Sequence, residues 1–186
     1  MSARERILQA AYKLFSKRGI GNVGIDAIVL ESGCAKSSLY NNFASKEALA
    51  LAFLRDREAA WTHGWLEDSI NARATSPEGR LLAIFDVFDG WFRRDDFEGC
   101  AFINVLLESE KDSKTRDAAS GHLTHIRKIL QDLAENARLV QPDEFANIWH
   151  MLMKGSIVAA GEGNCEAALQ ARRAGKLLLD GWARTW

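Results

Sequence analysis

Apolar residues recur along most of the chain at intervals of three and four, the repeat of a single helical face. No stretch alternates apolar and polar positions as a half-buried strand does. In the first segment Ile7, Ala11, Leu14 and Phe15 form one apolar stripe, with Arg4, Gln9, Lys13 and Lys17 largely off it. Gly19 follows and is expected to close that helix in the left-handed conformation that glycine adopts cheaply. Ile25, Ile28 and Val29 mark a short second helix closed by Gly33, and a third short helix runs from Lys36 to Phe43. Ser45 is placed to cap a long helix reaching about Ile70, with Glu47 in the first turn, where the helix dipole favours an anion.

Ser76-Pro77-Glu78 reads as a cap, a first-turn proline and an acid. The helix it opens is expected to bury Leu81, Ile84, Phe85, Phe88 and Phe92, and Asp95 and Asp96 break the pattern. Gly99 to about Glu108 is a short helix, apolar nearly all round and so expected to be largely buried. Ser113 to Ala137 is another, with Leu123, Ile126, Leu130 and Leu133 facing inward. Gln141-Pro142-Asp143-Glu144 repeats the proline-then-acid start of a helix that ends near Gly161-Glu162-Gly163, and a last helix covers roughly Cys165 to Ala183. The pattern predicts an all-α chain of nine helices: an N-terminal three-helix unit (residues 1–45) and a helical bundle (residues 46–186).

Composition adds exclusions. The chain has 186 residues, 47% hydrophobic and 26% charged, as in an ordinary soluble protein. No apolar run approaches the ~20 residues of a membrane span. No apolar signal core follows Met1-Ser2-Ala3-Arg4-Glu5-Arg6, so a cytoplasmic protein without a membrane partner is expected. Cys34, Cys100 and Cys165 are odd in number and far apart, which argues against a disulfide framework and a zinc site. His122 and His125 stand three apart on one helix, but no metal is assigned without an adjacent acid or cysteine pair. No P-loop, dinucleotide glycine pattern or nucleophile–base–orienter set occurs, so no catalytic residue and no cofactor are expected. The net charge of −1 hides an asymmetry: residues 1–50 carry +3 and the remainder −4. A basic head on an acidic body suggests that the head alone meets a polyanion.

The head has the pattern of a helix-turn-helix: two short helices joined at a glycine turn, behind a supporting helix. Ile25, Ile28, Val29, Leu39 and Phe43 can knit the unit together, leaving Lys36, Ser37, Ser38, Asn41 and Asn42 to face outward. Ser and Asn can hydrogen-bond base edges, and Lys can neutralise a phosphate or reach guanine. The Tyr40 hydroxyl can position a phosphate, and Lys46 starts the next helix beside the backbone that the reader straddles. Taken singly, Ser37 fits a solvated helix position equally well, and Tyr40 fits a partly buried one.

The run Arg6-Ile7-Leu8-Gln9-Ala10-Ala11-Tyr12-Lys13-Leu14-Phe15, then Gly19, then Ile25 to Lys46 with Ser38-Leu39-Tyr40-Asn41-Asn42-Phe43 and Lys46-Glu47-Ala48-Leu49, resembles the tetracycline-repressor (TetR) family over residues 4–54. The resemblance implies a homodimer whose two heads read palindromic double-stranded DNA. It also implies an effector pocket in the C-terminal domain, with effector binding spreading the heads to release DNA. Three positions depart from the family pattern. Gly24 stands where Thr or Ser usually opens the second helix, a DNA-facing position that here lacks a hydroxyl. Ala35 replaces the usual Ser or Thr before the reader helix, and Asn42 replaces the usual His or aromatic.

In the body, Cys100, Asn104 and Glu108 fall at i, i+4 and i+8, a polar stripe on an otherwise apolar helix. Buried Asn and Glu need partners. Asn104 or Glu108 either hydrogen-bonds an effector or ties this helix to its neighbours. Trp61, Trp65, Phe85, Phe88, Phe102 and Trp149, with His125, suit the wall of a pocket for an apolar or aromatic small molecule, or plain core. Small residues on the last two helices (Gly155, Ala159 and Ala160; Ala167, Ala171 and Ala174), with Leu178 and Trp182 as larger anchors, allow close packing across a two-fold axis or within one chain. The expected protein is a ligand-released repressor, with an activator or a redox-responsive repressor as variants. The alternative from another class is a helical ligand-binding protein or enzyme using the Cys100/Asn104/Glu108 stripe, without DNA binding.

Overall fold

In the computed structural model, residues 1–185 are described; Trp186, the end of the second predicted domain, lies outside the described residues. The chain is all-α. The helices are α1 (Ala3–Arg18), α2 (Ile25–Ser32), α3 (Lys36–Asn42), α4, α5 (Pro77–Phe92), α6 (Ala101–Glu108), α7 (Lys114–Asn136), α8 (Pro142–Gly161) and α9 (Ala167–Gly181). α4 is α-helical over Lys46–Glu58, widens to a π-helix over Ala59–Glu67 and ends α-helical over Asp68–Arg73. Among the described residues the one β feature is an isolated bridge between Leu139 and Arg184.

Local chemistry accounts for the starts of α1, α4 and α5. Ser2 and Glu5 form a reciprocal capping box on α1. Ser45 accepts from the Ala48 N–H, and Ser76 accepts from Gly79 with Pro77 in the first turn. Each such cap satisfies a backbone donor that the helix itself cannot.

Contacts divide the chain into two units. One comprises Met1–Ala59 with Cys100–His122, the other Ala60–Gly99 with the residues from Leu123 onward. In the first, Ile7, Phe15, Ile28, Leu39, Phe43 and Phe53 are buried, with Tyr12 and Phe15 edge-on to Phe53 at 5.3 and 5.5 Å. The Arg57 guanidinium donates to the Tyr12 hydroxyl at 2.9 Å and to Ser16 Oγ at 3.3 Å. Phe102 of α6 stacks on His122, ring centroids 3.4 Å apart, and His122 Nδ1 lies 3.6 Å from the Glu58 carboxylate. The second unit has an aromatic core of Phe85, Phe88, Phe145 and Trp149, with α5 and α8 both packed on α9.

Three expectations need correction. α6 is not buried all round: Phe102 and Val105 are buried, whereas Asn104 and Glu108 are exposed and Leu107 is 77% exposed. Eight residues packed on one side have a free face, whatever side chains occupy it. Gly19 has a positive φ of 75° but a ψ of 157°, so it ends α1 in a positive-φ conformation open almost only to glycine and not in the left-handed helical one. Phe92 is half-buried, because α5 stops there.

Gly175 shows why a glycine sits inside α9. A Cβ there would lie 2.9 Å from the Trp149 ring and 3.1 Å from Phe85, so the helix backbone rests directly on two buried aromatic rings. Overfilling such a contact costs about 1–3 kcal/mol. Gly175→Val is expected to lower unfolding stability by about that amount, measured as a reduced urea midpoint at unchanged m-value.

Candidate nucleic-acid interface and sensing residues

α2 and α3 are joined through Gly33, whose φ of 62° and ψ of 23° are left-handed helical, with its N–H donating to Leu30 O at 3.3 Å. Leu39 and Phe43, four residues apart on α3 and its C-cap, turn inward and are 0% and 5% exposed. The opposite face is thereby solvent-facing: Lys36, Ser37, Tyr40, Asn41 and Asn42 are exposed, with Tyr40 at 49%, and Ser38 is half-buried. Sequence reasoning left Tyr40 open between surface and core; the structure puts it on the surface.

Not all of these groups are equally available. Lys36 Nζ lies 2.8 Å from Asp26 Oδ1, and the hydrogen bond and charge of Asp26 raise its pKa. Asn42 Nδ2 donates to Ser38 O at 2.8 Å, leaving its oxygen and its second N–H to face a ligand. Lys46 is half-buried and its Nζ donates to Gly21 O at 3.4 Å, tying the start of α4 to the loop before α2. Gly24 and Ala35 are the N-caps of α2 and α3, both in extended backbone and both without a side-chain cap.

The predicted sensing residues fall in both units. In the first, Phe102 is buried under His122, and Asn104 is exposed. Glu108 has its carboxylate oxygens 2.6 and 2.7 Å from where a Cβ on Gly19 would be, so it covers the end of α1. Cys100 is half-buried, and desolvation pushes its thiol pKa up, which suppresses the thiolate.

In the second unit, Phe85, Phe88 and Trp149 are buried, and Trp61, Trp65 and His125 are half-buried. Trp61 and Trp65 lie 5.4 Å apart and each 5.8 Å from Trp91, and Trp149 lies 5.5 Å from Phe85. Sequence reasoning missed Thr62, whose hydroxyl is fully buried within the π-helical stretch and has no hydrogen-bond partner among the described residues. The indole N–H of Trp149 is also buried without one among the described residues. A small Thr between two tryptophans gives no periodic signal of its own. A cleft of about 360 Å³ runs between α8 and α9, bordered by Gly155 and Ala159 on one helix and Ala167, Ala171 and Ala174 on the other.

Comparisons with known proteins agree with this geometry. Residues 7–53 match the model of the bacterial regulatory proteins of the tetR family. A helix-turn-helix regulator of Mycobacterium tuberculosis is 40% identical over 52 residues, 28% of this chain and 26% of that protein. The chain thus spans about a quarter (26%) of the length of that curated relative. Over full length, a TetR-type regulator from Streptomyces avermitilis superposes with a TM-score of 0.88 at 28% identity, covering 100% of both chains. A cysteine-substituted CifR regulator of the TetR family, solved with 26-base-pair double-strand operator DNA, shares the fold at a TM-score of 0.78 and 19% identity over 96% of each chain.

The missing cap on α3 gives a test. Ala35 has φ −69° and ψ 150°, backbone angles suited to a capping residue. Ala35→Ser should therefore stabilise the protein by about 1 kcal/mol, read as a higher urea midpoint.

Proposed function

We propose that the chain, whose residues 7–53 match the TetR-family model and whose whole length superposes on a TetR-type regulator, is a DNA-binding transcriptional repressor released from a palindromic operator by a small molecule. The observation that carries the reading is the division of α3 into two faces, Leu39 and Phe43 inward and Lys36, Ser37, Tyr40, Asn41 and Asn42 outward, within the matched segment. Ser37, Ser38, Asn41 and Asn42 read base edges; Tyr40, Lys46 and the backbone at Gly24 hold phosphates, and Lys36 reaches a phosphate or a guanine. Residues 1–45 act as the reader and residues 46–186 as the sensing and dimerisation part.

Support for a sensed ligand comes from Thr62 and Trp149. A buried O–H or N–H without a partner costs about 1–3 kcal/mol. A mostly apolar or aromatic molecule carrying acceptors would recover part of that. Trp61, Trp65, Phe85, Phe88 and His125 of the second unit are the remaining candidate contacts. The small residues flanking the α8–α9 cleft, with Met151 58% and Val158 51% exposed, support a homodimer through these two helices. Effector and operator then oppose each other by preferring different spacings of the two heads. The protein acts in the cytoplasm and turns over no substrate. The exposure of Asn104 and Glu108 and the raised thiol pKa of Cys100 speak against a catalytic stripe.

Selection from random duplex DNA at near-physiological salt tests the reading. Enrichment of one palindrome is the expected result, and a folded dimer that enriches nothing contradicts it. On the selected operator, Lys46→Ala is expected to reduce the slope of log affinity against log salt by about 0.9, the loss of one phosphate contact.

A further inference from the structure

We propose that Arg4 is an additional ligand of the DNA backbone, held at the end of the reader helix by the ring of Phe43. The inference rests on the DNA-binding reading above and adds a contact that neither the sequence pattern nor the matched family segment, which begins at residue 7, assigns.

The guanidinium of Arg4 lies 5.1 Å above the Phe43 ring centroid. Phe43 is the C-cap of α3 and is 5% exposed, so the ring is fixed and the cation rests on its remaining open side. One turn of α1 is thereby laid against the reader. Its backbone meets the α2–α3 turn as well, where Cys34 Sγ is 3.9 Å from Ala3 O. The Ser2–Glu5 capping box fixes the same turn. It also engages the acid next in sequence, because Glu5 Oε2 accepts from the Ser2 N–H at 2.7 Å.

Arg4 differs from Lys13 and Lys36 in what it already holds. Lys13 is bound to Glu31 at 2.5 Å and Lys36 to Asp26 at 2.8 Å. Such a lysine must trade a carboxylate for a phosphate on docking, so little charge is gained. Arg4 is exposed and has no carboxylate within ion-pair distance among the described residues. It therefore brings a full charge to the polyanion. A guanidinium held by a ring face keeps its N–H fork free in the plane, which matches the paired oxygens of a phosphate. Contacts of this kind set the register of a reader without choosing its sequence.

The experiment uses the full chain with an unselected duplex of about 30 base pairs, on which the salt slope counts phosphate contacts whatever the sequence. Arg4→Gln keeps most of the stem on Phe43 and removes the charge; Arg4→Lys keeps the charge. Arg4→Gln is expected to reduce the slope by about 0.9 and to weaken binding roughly fivefold at 0.15 M salt, while Arg4→Lys retains the slope. Thermal unfolding of both variants, followed by circular dichroism, is expected to stay within a few degrees of the parent. An unchanged slope in Arg4→Gln overturns the assignment. So does an equal loss in Arg4→Lys, which would make the effect one of packing on Phe43. If the parent chain binds no duplex at all, the DNA-binding reading itself falls, an outcome distinct from either of these.

Discussion

The burial of Leu39 and Phe43 is the constraint on which the reader depends. A helix of seven residues has too few hydrogen bonds to offset its nucleation, and α3 begins at Ala35 without a side-chain cap. Its helical form is borrowed from the two side chains that it sinks against α1 and α2, each contributing roughly 1.5–3 kcal/mol. Because they stand four apart, they also fix which way the rest of the helix looks. The polar face that can meet bases is the geometric remainder of the apolar one.

The first unit extends this logic beyond the N-terminal helices. Residues 100–122 pack with residues 1–59 where His122 lies beside Glu58 and Glu108 covers Gly19, and Phe102 stacks on His122 within the segment. The Gly19 position is doubly restrictive. Its φ of 75° disfavours any side chain, and the Glu108 carboxylate already fills the place of a Cβ. In the second unit the same device recurs in apolar form, where Gly175 admits the rings of Trp149 and Phe85 to the backbone of α9.

Much of this was legible in the residue pattern. Ser45, Ser76-Pro77 and the stripe from Ile7 to Phe15 marked helix starts and faces because capping and periodicity are local properties. So did Leu39 and Phe43, whose spacing already divided the reader into two faces. Burial of whole helices was less legible. The run from Phe102 to Leu107 is apolar on every side, and composition cannot say which side finds a partner. Contacts that join distant residues left no trace at all: the pairing of Leu139 with Arg184 and the Lys36–Asp26 ion pair. These depend on the fold being complete before they exist.

The Lys36–Asp26 pair has a consequence for how such a protein searches a chromosome. Ordinary DNA offers a vast excess of wrong sites, and every cation that meets a phosphate without cost lengthens the stay on each of them. A lysine that carries its own carboxylate holds an internal rival to the phosphate at 2.8 Å. Where Lys36 meets a phosphate, as proposed, loss of the Asp26 pair offsets part of the gain, so this lysine adds less to sequence-independent adhesion than an unpaired cation does.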